Sequence, residues 1–421
     1  MTYQTGLAPE MSEERIRRDF DELSNFTAKA SDGWTRRAFS PEYREARQWL
    51  SGRMKHAGLE VYEDAAYNLV GTVPGRRGGR ALATGSHTDT VEGGGRFDGI
   101  AGVLAALEVV RRFRECGIAL EHDLKVIDFF NEEPNDFGLS CLGSRALVGA
   151  LEEAHLELTD STGRKMGDAL AEVGGDPSRA TDIAWPDKHL TAFVELHIEQ
   201  GPVLEREGLP VAVVTAIAGI DRYKIDFVGQ ADHAGATPMS VRHDALCAAA
   251  ETVLAVESAA NETTDAGVGT TGRLEIQPGA SNVVPGRATA WVEFRGAGRE
   301  WLDGCMKRLT TAARSSAERR GLAVNIERLS SVDPVTANNA VQSTISESFE
   351  RLGFPLRKMF SGAGHDSAHM ARIAPMGMIF VPSRGGRSHC PEEWTDIEQV
   401  AVGARALAQT LMHLDMQTAL R

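Results

Sequence analysis

ALATGSHTDTVEGGGRFDGIAGVLAALEVV occupies residues 81–110. Its first six residues, Ala81 to Ser86, form a short apolar run of strand length. Further on, Ile100, Val103, Leu104, Leu107 and Val110 recur at helical spacing and give one apolar face. A second buried strand is predicted at Leu124 to Phe130. Strand, helix and strand in that order predict a βαβ unit, and with it an α/β sheet.

Working outward, Ala192 to Ile198 alternates. Ala192, Val194, Leu196 and Ile198 share one side, while Phe193, Glu195, His197 and Glu199 share the other. A buried strand at Met376 to Val381 and a closing helix from Ile397 to Leu414 repeat the first texture. Between about 215 and 329 the texture changes. Strand-like stretches (Tyr223 to Val228, Ala288 to Phe294) bracket two helix candidates, Ala245 to Ala260 and Glu300 to Arg319. A chain of 421 residues exceeds one ordinary core. The expected fold is therefore α/β, with a mixed-sheet domain over 1–214 plus 330–421 and a smaller α+β domain inserted at 215–329.

Composition is that of an average globular protein, 42% hydrophobic and 25% charged. A net charge of −14 argues against nucleic acid or an anionic membrane as partner. The five cysteines are scattered and lack CxxC spacing, which suits reduced thiols. The first twenty residues have no signal-peptide core, and no apolar run is long enough to span a membrane. A cytoplasmic protein is expected.

Five polar motifs carry chemistry. His87, directly after the first strand, offers an imidazole to a metal, and Asp89 is placed to accept its second N–H. The glycine-rich turn Gly93-Gly94-Gly95-Arg96-Phe97-Asp98-Gly99 opens the helix and brings Asp98 toward His87. A phosphate cradle is the competing use of such a turn. No Lys-Ser/Thr follows, however, and an aspartate there repels phosphate. Glu132 and Glu133 end the second strand, which is either a solvated turn or a ligand beside a base. His197 stands on the polar side of its strand, and His389 follows Met376 to Val381. Taken singly, each histidine has a bland reading, buried and hydrogen-bonded or simply on the surface. Together, three histidines and two carboxylates near strand ends are the N/O donors that suit zinc, manganese or cobalt. Five ligands exceed the needs of one open site, and one carboxylate bridging two ions accounts for all of them.

At this point the order HTDT…GGGRFDG…NEE…ELHIEQGPVLE…DHAGATPM…SGAGHD…GGRSH resembles the M20 metallopeptidase clan, over nearly the whole chain. Within that clan it is most similar to the hydantoinase/carbamoylase amidase branch. The branch holds N-carbamoyl-L-amino acid hydrolases, β-ureidopropionases and allantoate amidohydrolases. The resemblance implies two divalent ions, one held by His87, Asp98 and His197, the other by Asp98, Glu133 and His389, with Asp98 bridging. It implies Glu132 as general base and Asp89 as the partner of His87. The small domain is implied to act as lid and dimer surface. His233 matches an oxyanion-stabilising histidine. Asn282 and Arg295 match substrate-binding positions, Arg295 suiting a bidentate grip on a carboxylate. Gln200, His365 and Gly364 match further substrate contacts. Peptidase members typically have a carboxylate where His197 stands, so the histidine favours the amidase branch.

Two stretches depart from the pattern, Pro134-Asn135-Asp136-Phe137 and Cys390-Pro391-Glu392-Glu393-Trp394. Both are expected to reshape the pocket without touching a ligand. The implied reaction is hydrolysis of a small ureido or carbamoyl carboxylate by a homodimer, with no nucleic acid or membrane partner. Allantoate, a dipeptide or an acyl-amino acid are alternative substrates. A silent ligand-binding relative is a different class of answer, which the retained Glu132 disfavours. A nucleotide-binding domain leaves His197 and His389 without a use.

Overall fold

The computed structural model describes residues 6–29, 32–186, 188–262 and 266–417. The chain divides into two compact units. The first comprises Met1–Thr215, Ala337–Met359 and His365–Arg421; the second comprises Ala216–Thr336 and Phe360–Gly364. The expected edge at 329/330 falls inside the strand Ala323–Val332, which belongs to the second unit's sheet.

The first unit is built on a mixed sheet in the order Glu60–Glu63, Leu69–Val73, Leu124–Phe129, Ala81–His87, Leu190–Ile198, Met376–Val381, Ala212–Ile217. The four strands Leu124–Phe129, Ala81–His87, Leu190–Ile198 and Met376–Val381 run parallel to one another. Strands of this kind are covered on both faces. All nine residues of Leu190–Ile198 are accordingly buried, including Glu195 and His197 on the side its alternation marks as polar.

The crossover helix is Ile100–Glu115. Sequence spacing predicts one apolar face, yet every residue from Ile100 to Val110 is buried. It packs against the strand Ala81–His87 and against the helices Glu13–Leu23, Pro41–Ala57 and Ile397–Met416. A helix enclosed in this way is apolar all round. Its one buried acid, Glu108, is satisfied by Arg15 Nη2 at 2.6 Å.

Behind the first strand lies a fully buried ion pair, Arg47 Nη1 to Asp128 Oδ2 at 2.9 Å. Thr88 Oγ1 donates to the same oxygen at 3.1 Å, so the pair anchors the residue next to His87. Burial pushes the Asp128 carboxyl up to about 6, against the pull of Arg47.

The second unit is a four-stranded antiparallel sheet, in the order Ala323–Val332, Gly219–Val228, Arg287–Gly296, Gly267–Gln277. Helices Ala245–Asn261 and Arg299–Arg319 cover one face, where Tyr223, Ile225, Phe227, Ala288, Val292 and Phe294 form a separate core with Leu302 and Leu309. Sequence reading assigns both helices and the two central strands. It assigns neither flanking strand, because GVGTTGRLEIQ and AVNIERLSSV alternate only partly buried with exposed positions.

Candidate metal centre

The carboxyl ends of the parallel strands lie at one edge of the sheet, the usual ligand position in such folds. His87 ends its strand, Glu132 and Glu133 follow Phe129, and His197 is the penultimate residue of Leu190–Ile198. His389 follows Val381 after a short turn at Arg384–Gly386. Asp98 stands just before the helix Ile100–Glu115, whose cap is Gly99 at φ 65°. A Cβ on Gly99 would collide with His87 Nε2, so close approach as well as conformation requires glycine there. Asn131, Cys141, Gln200 and His389 are all non-glycine residues with positive φ, at 55°, 58°, 57° and 56°. Such backbone is unfavourable, and its clustering around one site is the pattern expected of functional geometry.

One ligand atom from each of His87, Asp98 and His197 lies within 4.8 Å of the others, and so do those of Asp98, Glu133 and His389. Asp98 belongs to both groups. Its Oδ1 is 3.2 Å from His197 Nε2 and its Oδ2 is 3.0 Å from His389 Nε2. Glu133 Oε1 is 3.3 Å from the same His389 nitrogen. His87 Nδ1 meets the Asp89 carbonyl at 3.0 Å and His197 Nδ1 meets the Ile198 carbonyl at 2.9 Å. Both rings therefore keep a proton on Nδ1 and turn Nε2 toward the cluster, so Nε2 is the atom a metal ion would use once its own proton is displaced. A third group, Glu195, His197 and His365, is engaged otherwise. The Glu195 oxygens accept from Ser86 Oγ at 2.7 Å and from Ser367 Oγ at 2.6 Å.

Asp89 serves differently from expectation. Its carboxylate is 3.6 Å from His87 Nδ1, farther than its own main-chain carbonyl. The carboxylate instead accepts Glu132 N at 3.3 Å and Glu133 N at 3.1 Å. The left-handed turn at Asn131 aims these two N–H groups at it, so Asp89 fixes the glutamate pair as well as the histidine.

The charges call for a cation. Burial raises Glu132 well above the usual carboxylate range, with Glu133 adding repulsion, and burial raises Glu133 too. Burial would also lift Asp98, but hydrogen bonds with His197 and His389 hold it well below. In return, hydrogen bonds to Asp98 and Glu133 push His389 up to about 11. Imidazoles driven toward their cationic form by surrounding carboxylates mark a place where divalent ions fit and displace those protons.

Comparison with known proteins gives the family. The sequence pattern of Peptidase family M20/M25/M40 matches residues 83–413. This chain belongs to that family. An N-carbamoyl-L-amino acid amidohydrolase of Geobacillus stearothermophilus is 40% identical, over 95% of this chain and 98% of the relative. A ureidoglycolate hydrolase of Oryza sativa subsp. japonica is 37% identical, over 96% of this chain and 84% of the relative. The crystal structure of a hydantoinase/carbamoylase family amidase from Burkholderia multivorans superimposes with a TM-score of 0.91 at 33% identity, covering 97% of this chain and 99% of that one. Family M20 hydrolases use divalent metals, and the two donor groups suit them.

The remaining family positions are distributed between the units. Gln200 Nε2 donates to Asp98 Oδ2 at 2.9 Å, and the His365 ring packs edge-on against His197 with centroids 4.4 Å apart. Burial, followed by the charge of His197, holds His365 well below its ordinary value, so its imidazole is neutral. The second unit carries His233, Asn282, Arg295 and Gly364. Pairing of Asp232–His233 with Val283–Val284 sets Asn282 beside His233, and the Asn282 carbonyl accepts Ala234 N at 2.9 Å. His233 Nδ1 accepts Gly235 N and Ala236 N, each at 3.1 Å, which places the ring proton on Nε2. Gly364 is exposed, with open space where a side chain would stand.

Arg295 departs from expectation. Its Nε binds Glu293 Oε1 at 2.6 Å and its Nη1 binds the Gly362 carbonyl at 3.0 Å. The partner two residues earlier shares its strand face, so a side-on grip on a carboxylate through Nε and Nη2 requires Glu293 to give way, and an end-on grip through both Nη atoms requires release of the Gly362 carbonyl.

The second departure is also corrected. Glu393, expected to touch no ligand, accepts Phe97 N at 2.9 Å and Asp98 N at 3.0 Å through Oε1. In the first departing stretch, Asn135 Oδ1 caps Phe137 N at 2.9 Å and Asn135 Nδ2 donates to Asn131 Oδ1 at 2.8 Å, bracing the turn that precedes Glu132. Cys141, which sequence reading noted only as one of five scattered thiols, stands 3.6 Å from Glu132 Oε1. No local pattern marks either residue: Cys141 folds back onto Glu132 from nine positions along the chain, and Glu393 reaches Asp98 from 295 positions away. Glu195 was visible two residues before His197 on the same strand face.

Proposed function

We propose that this chain is a two-ion amidohydrolase that cleaves the ureido C–N bond of a small N-carbamoyl amino acid, giving the amino acid, ammonia and carbon dioxide. The observation that carries the proposal is Asp98, whose two oxygens face histidines of two different donor groups. In this reading His87, Asp98 and His197 hold one ion, and Asp98, Glu133 and His389 the other. When bound, zinc, manganese or cobalt ions would supply Lewis acidity toward the ureido carbonyl and toward water.

The protein's own groups do the rest. Glu132 takes the proton of the attacking water and passes it to the leaving nitrogen, as a buried, uplifted carboxylate suits. The role proposed for His233 is donation from Nε2–H to the oxygen that gains charge, supported by its fixed tautomer. Asn282, Gln200, His365 and Gly364 are proposed substrate contacts, and Arg295 a carboxylate contact once Glu293 or the Gly362 carbonyl is released. We further propose a cytoplasmic homodimer with the second unit as lid and dimer surface. Five free cysteines support the compartment. Among the described residues no helix is long and apolar enough to cross a membrane. For the dimer, the edge strand Gly267–Gln277 exposes Val268 and Leu274 at 53% and 38%.

Relatives named for ureidoglycolate make that compound, and allantoate, the nearest alternative substrates. The test is ammonia release by ion-loaded protein against N-carbamoyl-L-amino acids, N-carbamoyl-β-alanine, allantoate and ureidoglycolate, with dipeptides and N-acyl amino acids followed in parallel by ninhydrin. Ion-dependent release from an N-carbamoyl amino acid is expected. Turnover of peptides or acyl-amino acids alone would refute the proposed bond specificity.

A further inference from the structure

Glu393 is buried, at 1% exposure, and sits behind Asp98. Its Oε1 takes the main-chain N–H groups of Phe97 and Asp98, at 2.9 and 3.0 Å. Its Oε2 takes Ser388 Oγ at 2.7 Å, on the residue before His389. One carboxylate thus ties together two segments separated by almost 300 positions, each bearing a proposed ion ligand.

Its influence reaches the ligand atoms. Ser388 Oγ lies 2.7 Å from Glu393 but 3.3 Å from Asp98 Oδ2, so its single proton goes to Glu393. That leaves Ser388 lone pairs for Gln200 Nε2 at 3.2 Å, and the same amide nitrogen donates to Asp98 Oδ2 at 2.9 Å. Glu393 therefore sets the direction of the chain Gln200 to Ser388 to Glu393, and with it the donor that reaches the second oxygen of Asp98. The fold keeps room for this side chain, because a Cβ on Gly95 would collide with the Glu393 carboxyl.

A carboxylate buried beside Asp98 adds repulsion between like charges, which a cation in front of Asp98 offsets. We infer that Glu393 is a positioning residue for ion binding. It holds Asp98 in the orientation that lets both oxygens serve as ligands, and its negative charge strengthens the hold on the ions. The inference rests on the two-ion reading above.

The test uses the full chain stripped by chelation and titrated with Co2+, followed by visible absorbance and calorimetry, with thermal melting of the ion-free protein. Three variants divide the contributions. Glu393→Gln keeps an oxygen for the two N–H groups but removes the charge and reverses the Ser388 hydrogen bond. Glu393→Ala removes everything, and Gly95→Ala evicts the carboxylate while leaving it in the sequence. The parent chain is expected to bind two Co2+. Partners that orient metal ligands typically cost about 10–100-fold in affinity when lost, and that loss is expected for at least one ion in Glu393→Ala and Gly95→Ala. Glu393→Gln is expected to show a smaller loss, while its ion-free form melts no lower than the parent's.

Wild-type affinity for both ions in folded Glu393→Gln and Gly95→Ala would overturn the inference. So would a Glu393→Gln affinity loss that appears only together with a lower ion-free melting temperature, since that describes a purely structural clamp. A parent chain that binds no Co2+ would overturn the two-ion reading itself, an outcome visible before any variant is examined.

Discussion

Glu132→Gln is expected to turn over about 10²–10⁴-fold more slowly than the parent chain, the range associated with loss of a general base. The same variant should take up the same number of ions, because Glu132 belongs to neither donor group. Its carboxylate is instead held between His87 Nε2 and the Cys141 thiol, each at 3.6 Å. An amide fills that space without loss of volume, so the fold should tolerate it. What it lacks is an acceptor for the proton of water. Steady-state kcat under saturating ureido substrate, with ion content by atomic absorption, checks both halves. Near-parental kcat would remove Glu132 from the base role. A fall in ion content would instead make it a ligand.

The second large effect is expected at Asp98. Both of its oxygens are committed, Oδ1 toward His197 at 3.2 Å and Oδ2 toward His389 at 3.0 Å. Asparagine offers one oxygen and one amide, so Asp98→Asn can complete only one donor group. It is expected to bind one ion in place of two and to lose at least about 10³-fold in kcat/KM, roughly 4 kcal/mol of transition-state stabilisation. Calorimetric ion titration beside the kinetic assay reads this directly. Two tightly bound ions in Asp98→Asn would show that Asp98 does not bridge.

Much of this was legible in the sequence for a physical reason. Candidate ligands at strand ends follow short apolar runs, so His87, Glu133, His197 and His389 are found by locating strands first. The two central strands and both helices of the second unit announce themselves through apolar periodicity. Its flanking strands do not, because they lie half in solvent and their alternation is weak. Periodicity likewise shows only one face of Ile100–Glu115, whereas neighbouring helices distant in sequence bury the rest.

Supporting residues were harder to read. Asp89 was assigned to His87 by proximity in sequence, yet its carboxylate is drawn to two N–H groups aimed by a left-handed turn at Asn131. Glu393 lies 295 positions from Asp98, and nothing short of the folded chain places it behind that residue. Arg295 is the clearest difference between motif and environment. The motif suits it to a substrate carboxylate, while its strand neighbour Glu293 has already taken up one side of its fork.

The most direct test of the whole account is a titration of chelate-stripped protein with a divalent ion while ammonia release from an N-carbamoyl-L-amino acid is followed. Activity should be absent without ion, should climb as ion is added, and should level off at two equivalents per chain. Full activity in the stripped protein, or a plateau reached at one equivalent, would contradict the two-ion centre around Asp98.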